Sequence, residues 1–405
     1  MSAAAPTATT FREDATVISL VGFAHGTSHF FHFMLPPLFP WLMKDFGLSF
    51  TQVGLTMSAF FVVSGAGQAM AGFVVDRFGA LRVLCGGIVL LSLSGLVLAS
   101  ADSFAMLVAA AVVAGIGNSV FHPADFTILN RRVSTPRLGH AFSVHGLSGT
   151  LGWAAAPVLM IGMAEAFGWR ASGIAASVVG FCALAFLIFN RSRLADAPLA
   201  VADTKRHAGG AFAFLGKPLV WMCFLFFFLT VMAFGGLQNF APPIFERAYG
   251  ISITLAASAL TAYLLGAAAG TATGGFFATQ GDRQDVKVAI SLTVAAACAV
   301  ALALAVFPAW MVVPLMATMG FGAGFSGPSR DMLVRRAATS TFGQAAFGRI
   351  YGFVYSGIDT GLAVAPIVFG PLMDAGKYTH VLWGVAALQC LAIATALTVG
   401  TKSRQ

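Results

Sequence analysis

One pattern occurs twice in this chain, and that duplication limits the folds open to it. The segment at 137–157 contains glycines and ends in Ala-Pro, and it recurs at 346–366, an offset of 209 positions. An apolar segment with a Pro-Pro pair at 35–39 returns at 241–245, an offset of 206. Self-similarity over half a chain predicts two structurally alike halves of about 200 residues each.

Composition places both halves in a membrane. Hydrophobic residues make up 58% of the chain and charged residues 9%, whereas a soluble domain carries about 25% charged residues. Apolar windows long enough to span a bilayer as helices recur throughout, the first at 16–43 and the fourth at 104–130. We predict an all-α membrane protein with twelve transmembrane helices, in two six-helix halves related by pseudo-two-fold symmetry.

The predicted boundaries follow from the one long polar stretch. We expect an N-terminal six-helix half at 1–190, a cytoplasmic linker at 191–216 and a C-terminal six-helix half at 217–405. A duplicated, very apolar chain is typical of a secondary transporter whose site lies between the halves. The sequence contains no P-loop and no HExxH motif, so we expect neither ATP drive nor an enzyme with a cofactor.

The net charge of +8 indicates membrane topology rather than nucleic-acid binding. With the N-terminus inside, most of the 23 Lys and Arg residues fall on the inner side. The outer side keeps only Lys44, Arg170, Arg247 and Lys377, and Arg330 falls within a span. By the positive-inside rule, we expect a multi-pass protein of the cell inner membrane, with both termini cytoplasmic, acting as a monomer.

A glycine-rich loop between the second and third predicted spans carries a family resemblance. Its key residues are Gly72, Asp76, Arg77, Gly79 and Arg82. The loop resembles the signature loop of the major facilitator superfamily. The resemblance implies that these charges lock the inner ends of the two halves together in one conformational state.

Three shorter segments support a narrower resemblance. Ser28-His29, the run Ser-Val-Phe-His-Pro at 119–123 and Phe-x-Val-x-Gly at 142–146 are similar to the fosmidomycin-resistance branch of that superfamily. The resemblance implies proton-driven antiport, with efflux of a drug-like or toxic compound.

Ionisable groups inside a membrane are costly, so each is a candidate for function. His25, His29 and His32 lie at positions i, i+4 and i+7 of the first span, a spacing that places all three on one helix face. Bonding of neutral imidazoles to neighbouring helices is the structural alternative to a functional role.

His122, Asp125, His145 and Arg330 are expected to surround the inner part of one cavity. Arg330 is the repeat equivalent of Asp125, at an offset of 205. In one interpretation, Arg330 binds an anionic substrate, while Asp125 with His122 or His145 carries the coupling proton.

In the other interpretation the same groups form gates. Asp125 then pairs with Arg330, and Asp331 pairs with Arg335, to hold one conformation. The sequence leaves these two interpretations open.

The second half offers further polar candidates. Gln238 is the repeat equivalent of His32, and Asn239 follows it. Asp359 falls near the middle of the eleventh span, with Tyr355 one helical turn before it. A lone carboxyl at the bilayer midplane is a strong candidate for a proton or cation site.

These residues favour a proton-coupled transporter of a small organic solute, an exporter by resemblance. Uptake of an organic anion, motivated by Arg330, is one alternative. Transport of a divalent metal is another, since imidazoles and carboxylates suit such ions. The candidate metal ligands are His29, His32, His122, Asp125 and His145.

Overall fold

The computed structural model describes residues 10–134, 137–194, 216–278, 283–342 and 347–402, and their regular secondary structure is entirely helical. The helices of the first half are α1 (Phe11–His32), α2 (Phe39–Phe46), α3 (Phe50–Phe78), α4 (Ala80–Ala99), α5 (Phe104–Asn118), α6 (Phe121–Arg132), α7 (Leu138–Phe167), α8 (Trp169–Phe189) and α9 (Arg191–Leu194). Those of the second half are α10 (Pro218–Tyr249), α11 (Ile253–Ala278), α12 (Gln284–Leu304), α13 (Val312–Phe342), α14 (Phe347–Asp374) and α15 (Tyr378–Lys402).

Eleven segments in the described part are long and apolar enough to cross a membrane, and α5 and α6 together form one of them. The twelfth membrane helix is α1, whose 22 residues reach about 33 Å at 1.5 Å per residue. The predicted all-α, twelve-helix architecture is confirmed. The exact domain boundaries stay a prediction, because 195–215 lies outside the described residues.

Two predicted spans are not continuous helices. The first, predicted at 16–43, ends as an α-helix at His32 and passes through a 3-10 turn at Pro36–Leu38 before α2 begins. The fourth, predicted at 104–130, divides between Asn118 and Phe121. Pro123 has no N–H to donate to the carbonyl of residue 119, which explains a break at this position.

A tight seam joins α1 to α7. A Cβ on Gly26 would lie 2.9 Å from the carbonyl oxygen of Ser148, and one on Gly152 would overlap the carbonyl of Gly26. The two backbones therefore touch where both residues are glycine, an approach that larger residues prevent. This seam holds the histidines of α1 directly against α7.

The equivalent seam in the second half joins α10 to α14. A Cβ on Gly361 would lie 2.7 Å from the carbonyl oxygen of Phe228 and 2.9 Å from the nitrogen of Met232. Gly361 is the repeat equivalent of Gly152. The two halves thus share one backbone device for packing their first and fifth membrane helices.

Contacts between the halves concentrate on the side of the bundle opposite to the chain termini. There the carboxylate of Asp374, at the end of α14, accepts hydrogen bonds from the backbone N–H of Phe50 at 2.5 Å and of Thr51 at 3.0 Å. It also accepts one from the Thr51 hydroxyl at 2.5 Å. An acid at a helix N-terminus satisfies free N–H groups, so Asp374 ties α3 to the other half.

Two further hydrogen bonds join the halves, one on the same side and one nearer the middle of the bundle. Glu165, at the end of α7, accepts a hydrogen bond from the hydroxyl of Thr254 at the start of α11. Closer to the middle of the bundle, the hydroxyl of Ser58 donates to the carbonyl of Ala363 at 2.7 Å. The α3–α14 contact therefore continues from the opposite side toward the centre.

Candidate functional site

A histidine cluster occupies the centre of the first half. The rings of His25 and His29 are 4.3 Å apart, and those of His29 and His32 are stacked at 4.6 Å. The three rings thus follow one another along one face of α1, the face that packs on α7. From α6, His122 approaches His25 to a ring distance of 5.3 Å.

Asp125 lies buried between the imidazoles of His25 and His145. Its Oδ2 atom is 3.1 Å from Nε2 of His145 and 3.3 Å from Nδ1 of His25. The contact with His145 is a hydrogen bond, whereas the orientation of His25 leaves its Nδ1 without one. The rings of His25 and His145 stack at 3.5 Å, so α1, α6 and α7 meet at one carboxylate.

His32 has a different role from its neighbours, because both its nitrogens are engaged. The indole N–H of Trp153 donates to Nδ1 at 3.2 Å, and Nε2 lies 2.8 Å from Oδ1 of Asn118. Since an indole only donates, Nδ1 must be the acceptor and the ring is neutral. The expectation of His32 as a metal ligand is therefore wrong, because neither ring nitrogen is free.

The expected Asp125–Arg330 pair is not formed among the described residues. Asp125 bonds within its own half, as above. Arg330 donates to the neighbouring carboxylate of Asp331 at 2.9 Å and stacks over the ring of Phe227 at 4.5 Å. The two residues occupy equivalent positions in the repeat, but each bonds to a partner inside its own half.

The Arg330 environment is a small polar group in the second half. The hydroxyl of Tyr355 donates to Asp331 at 3.4 Å, and the Tyr355 ring lies 4.8 Å from that of Phe227. The expected partner of Asp331, Arg335, has its side chain outside the described residues.

Asp359 lies one turn beyond Tyr355, at the contact between the halves. A Cβ on Gly65 of α3 would lie 3.3 Å from the Cβ of Asp359. The carboxyl is partly buried, and among the described residues it makes no hydrogen bond. This places an unpaired carboxyl inside the seam between α3 and α14.

Gln238 and Asn239 are enclosed in the bundle. The amide of Gln238 donates to the carbonyl of His32 at 3.1 Å, which links the two halves. Asn239 donates to the carbonyl of Gly235 within its own helix at 2.7 Å. Both side chains are at most 1% exposed, so in this conformation they tie helices together and face no solvent.

The predicted signature loop is mostly helix. Gly72 lies inside α3 with open space around it, so no close contact requires a glycine at this position. Gly79 alone makes the turn, with a φ of 86° that favours glycine. The side chains of Arg77 and Arg82 are exposed, and that of Asp76 lies outside the described residues.

Sequence reasoning missed the partners of the histidines. Nδ1 of His122 lies 2.8 Å from Oε1 of Gln68. Asn118, which contacts His32, donates in turn to the hydroxyl of Ser64 at 2.8 Å. Asn118 and His122 are four residues apart, as are Ser64 and Gln68 on α3. This matched i, i+4 spacing was a signal that a second polar helix face opposes the first.

Known proteins with similar sequences are membrane transporters. A multidrug resistance protein B homolog of Mycobacterium tuberculosis is 33% identical over 153 residues, which cover 37% of this chain and 28% of that protein. The fosmidomycin resistance protein of Escherichia coli is 27% identical over 285 residues, which cover 68% of each.

Solved structures show the same fold. A bacterial homolog of the human lysosomal transporter Spinster, in an inward-facing and unoccupied conformation, superposes with a TM-score of 0.76. The match covers 98% of both chains at 15% identity. The sequence profile of the Major Facilitator Superfamily matches residues 21–346 of this chain. With the twelve-helix architecture, that match shows that the chain is a multi-pass membrane protein that belongs to the Major Facilitator Superfamily.

Proposed function

We propose that the protein is a proton-coupled antiporter that exports a small, drug-like organic solute by alternating access. The observation that carries this proposal is Asp359, an unpaired carboxyl in the seam between α3 and α14. A carboxyl that faces the other half can carry a proton and sense whether the halves are together. The names of the two relatives above, one a multidrug and one a fosmidomycin resistance protein, support export.

The contacts between the halves support an inward-facing state. Asp374 and Glu165 hold the halves together on the side opposite to the termini. The Lys and Arg excess on the termini side supports cytoplasmic termini in the inner membrane. The closed side is then the outer one, and the central region opens to the cytoplasm, where an exporter would collect its cargo.

The proposed cycle uses Asp359 as the coupling group. An ionised carboxyl held against Gly65 between packed helices loses hydration that it regains only when the seam opens. Protonation removes that cost, which links the proton on Asp359 to opening and closing of the seam. Exchange of proton for solute then follows from movement of α14 relative to α3.

The substrate would contact both halves near the centre of the bundle. Partly exposed aromatic groups such as Trp153 and Phe234, whose rings lie 5.0 Å apart across the halves, suit an amphipathic ligand. Arg330 is already paired with Asp331, which argues against a dedicated anion site at this guanidinium. We propose a monomer as the working unit, since each chain contains both halves.

The test is flux in reconstituted liposomes. Purified protein would be assayed with carboxylates, phosphonates and amphipathic drugs under an imposed pH gradient. We expect pH-driven flux of at least one organic compound in the wild type and its loss in a folded Asp359→Asn variant. Thr150→Val, at the repeat equivalent position on α7, is the matched control. If flux driven by the pH gradient survives in Asp359→Asn, the coupling role is refuted. If the wild type transports none of the organic compounds, the substrate class is refuted.

A further inference from the structure

Three histidines of the first half converge on a space beside Gly149. His25, His29 and His122 each offer one ring nitrogen, and these three atoms lie within 4.8 Å of one another. A Cβ on Gly149 would lie 2.6 Å from Nδ1 of His29 and 3.0 Å from Nε2 of His25. Because Gly149 has no side chain, both nitrogens can approach the α7 backbone where a Cβ would otherwise overlap them.

Two of the rings contact a side-chain oxygen through their Nδ1 nitrogen. Nδ1 of His122 lies 2.8 Å from Oε1 of Gln68, which makes Nδ1 the donor and leaves Nε2 as a free acceptor. Nδ1 of His25 faces the Asp125 carboxylate at 3.3 Å, a contact that is not a hydrogen bond in this conformation. It lies on the opposite side of the ring from the Nε2 beside Gly149. Metal-bound histidines commonly direct their second nitrogen to a carboxylate or an amide oxygen in this way.

The third ring adds an unpartnered atom. Nδ1 of His29 is buried, and within the described structure it has no hydrogen-bond partner. Buried polar atoms are rarely left unsatisfied, and this one borders the same space. His25 is itself only 2% exposed, so the space lies inside the protein, while His29 and His122 are partly exposed and provide an access route.

We propose that His25, His29 and His122 bind one divalent transition-metal ion of the zinc class. Three imidazoles are a known zinc ligand set that leaves one position of a tetrahedron open for water or another ligand. Asp125 and Gln68 are positioning residues that orient two of the ligands.

The proposed ion is resident in one half and is not the transported cargo. Its ligands lie on α1 and α6, and their positioning partners on α3 and α6, all within the first half. An alternating-access site lies between the halves and is rebuilt as they rock. A site within one half moves with that half through the cycle, so this inference goes beyond the transport proposed above and stands independently of it.

The test begins with full-length protein in detergent after treatment with a chelator. Zn²⁺ would be titrated by calorimetry and by thermal unfolding, with Mg²⁺ as the hard-cation control, and Co²⁺ absorption would report coordination geometry. We expect one Zn²⁺ per chain, stabilisation that EDTA reverses and no response to Mg²⁺. A wild type that binds no Zn²⁺ overturns the proposal.

Variants locate the site. His29→Ala and His122→Ala should abolish stoichiometric binding, and Gly149→Ala should abolish it by filling the space without removing a ligand. Gln68→Leu should raise the Kd for Zn²⁺ by about 10–100-fold. The matched controls are His140→Ala, an exposed histidine of α7, and Gly146→Ala, where a Cβ meets nothing within 4 Å.

The controls make each result decisive. Binding lost in the cluster variants and kept in both controls supports the site. Binding kept in His29→Ala and His122→Ala, or lost equally in His140→Ala, overturns it. Size-exclusion profiles and unfolding temperatures without metal show which variants fold. If Gly149→Ala does not fold, His122→Ala decides the question.

Discussion

The two halves share a scaffold but not its polar chemistry. Gly152 and Gly361 occupy equivalent positions, and each seats its helix against a neighbouring backbone. Around that common seam the side chains diverge. Equivalent pairs are His25 and Val231, His29 and Gly235, His122 and Gly327, Asp125 and Arg330, and His145 and Val354. The duplication kept the backbone contact and placed the histidine cluster in the first half alone.

This difference separates two functions that a symmetric protein would combine. In the first half, buried imidazoles and Asp125 bond to one another and hold three helices in one arrangement. In the second half, Arg330 and Asp331 pair with each other, and Asp359 lies at the contact between the halves, beside Gly65. The first half therefore offers a fixed site, and the second offers groups whose surroundings change as the halves move.

The largest effect is expected from breaking the shared seam. Gly152→Val places a side chain into the carbonyl of Gly26, and Gly361→Val places one against the carbonyl of Phe228. Overpacking of this kind costs about 1–3 kcal/mol or more, and a backbone cannot move aside as a flexible side chain can. Both variants should lose the monodisperse peak in size-exclusion chromatography.

The control for the seam is Gly162→Val on α7, where a Cβ meets nothing within 4 Å. This variant should remain folded, because the added side chain enters open space. If Gly152→Val were as stable as Gly162→Val, the backbone contact would not be what positions the histidines of α1.

The next effect concerns the two ties on the opposite side, which occupy equivalent positions at an offset of 209. Asp374 accepts from two backbone N–H groups and a hydroxyl, whereas Glu165 accepts from the hydroxyl of Thr254. Both carboxylates are exposed, so solvent weakens the hydrogen bonds that they accept. We expect Asp374→Ala to favour separation of the halves there by about 1–2 kcal/mol, and Glu165→Ala by less than about 1 kcal/mol.

Distance measurements between spin labels would show this order. Labels at Lys44→Cys and Lys377→Cys, in a background without the native cysteines, report on the two halves at the opposite side. The long-distance population should grow in Asp374→Ala by about 5–30-fold relative to the wild type. An equal or larger change in Glu165→Ala contradicts the unequal ties.

Sequence alone could predict the architecture, because apolar windows and the repeat are local or periodic signals. It could not predict the break between α1 and α2 from the Pro-Pro pair alone, since Pro242 and Pro243 lie inside a continuous α10 while Pro36 and Pro37 lie in a 3-10 turn. The same Pro-Pro pair thus has two outcomes. Packing of the surrounding helices, which is a tertiary property, decides between them.

The site was partly predictable for a similar reason. Helical spacing is enough to place His25, His29 and His32 on one face. It does not reveal which helix opposes that face, and it left open whether Asp125 acts with His122 or His145 or pairs with Arg330. The structure shows the contact with His145. Gly149 carries no chemical signal at all, because its contribution is the space that its missing side chain leaves.

A smaller effect is expected at Arg330, the equivalent of Asp125. Its guanidinium already bonds to Asp331 and stacks on Phe227, so Arg330→Ala should change affinity for an anionic compound by less than about threefold, under 1 kcal/mol. A tenfold or larger loss of anion affinity would restore the substrate-binding interpretation.

The smallest effect is expected from exchanging one residue for its repeat equivalent. His32→Gln converts the position to the residue found at Gln238, and a glutamine can still accept from Trp153 and donate to Asn118. Since His32 is already neutral, the pH profile of transport should not move, and the free energy of unfolding should change by less than about 1 kcal/mol. His32→Leu leaves both partners unpaired and should cost about 1–3 kcal/mol. A shifted pH profile in His32→Gln, measured beside the wild type in the same liposomes, would show that His32 takes up a proton during transport despite its bonds to Trp153 and Asn118.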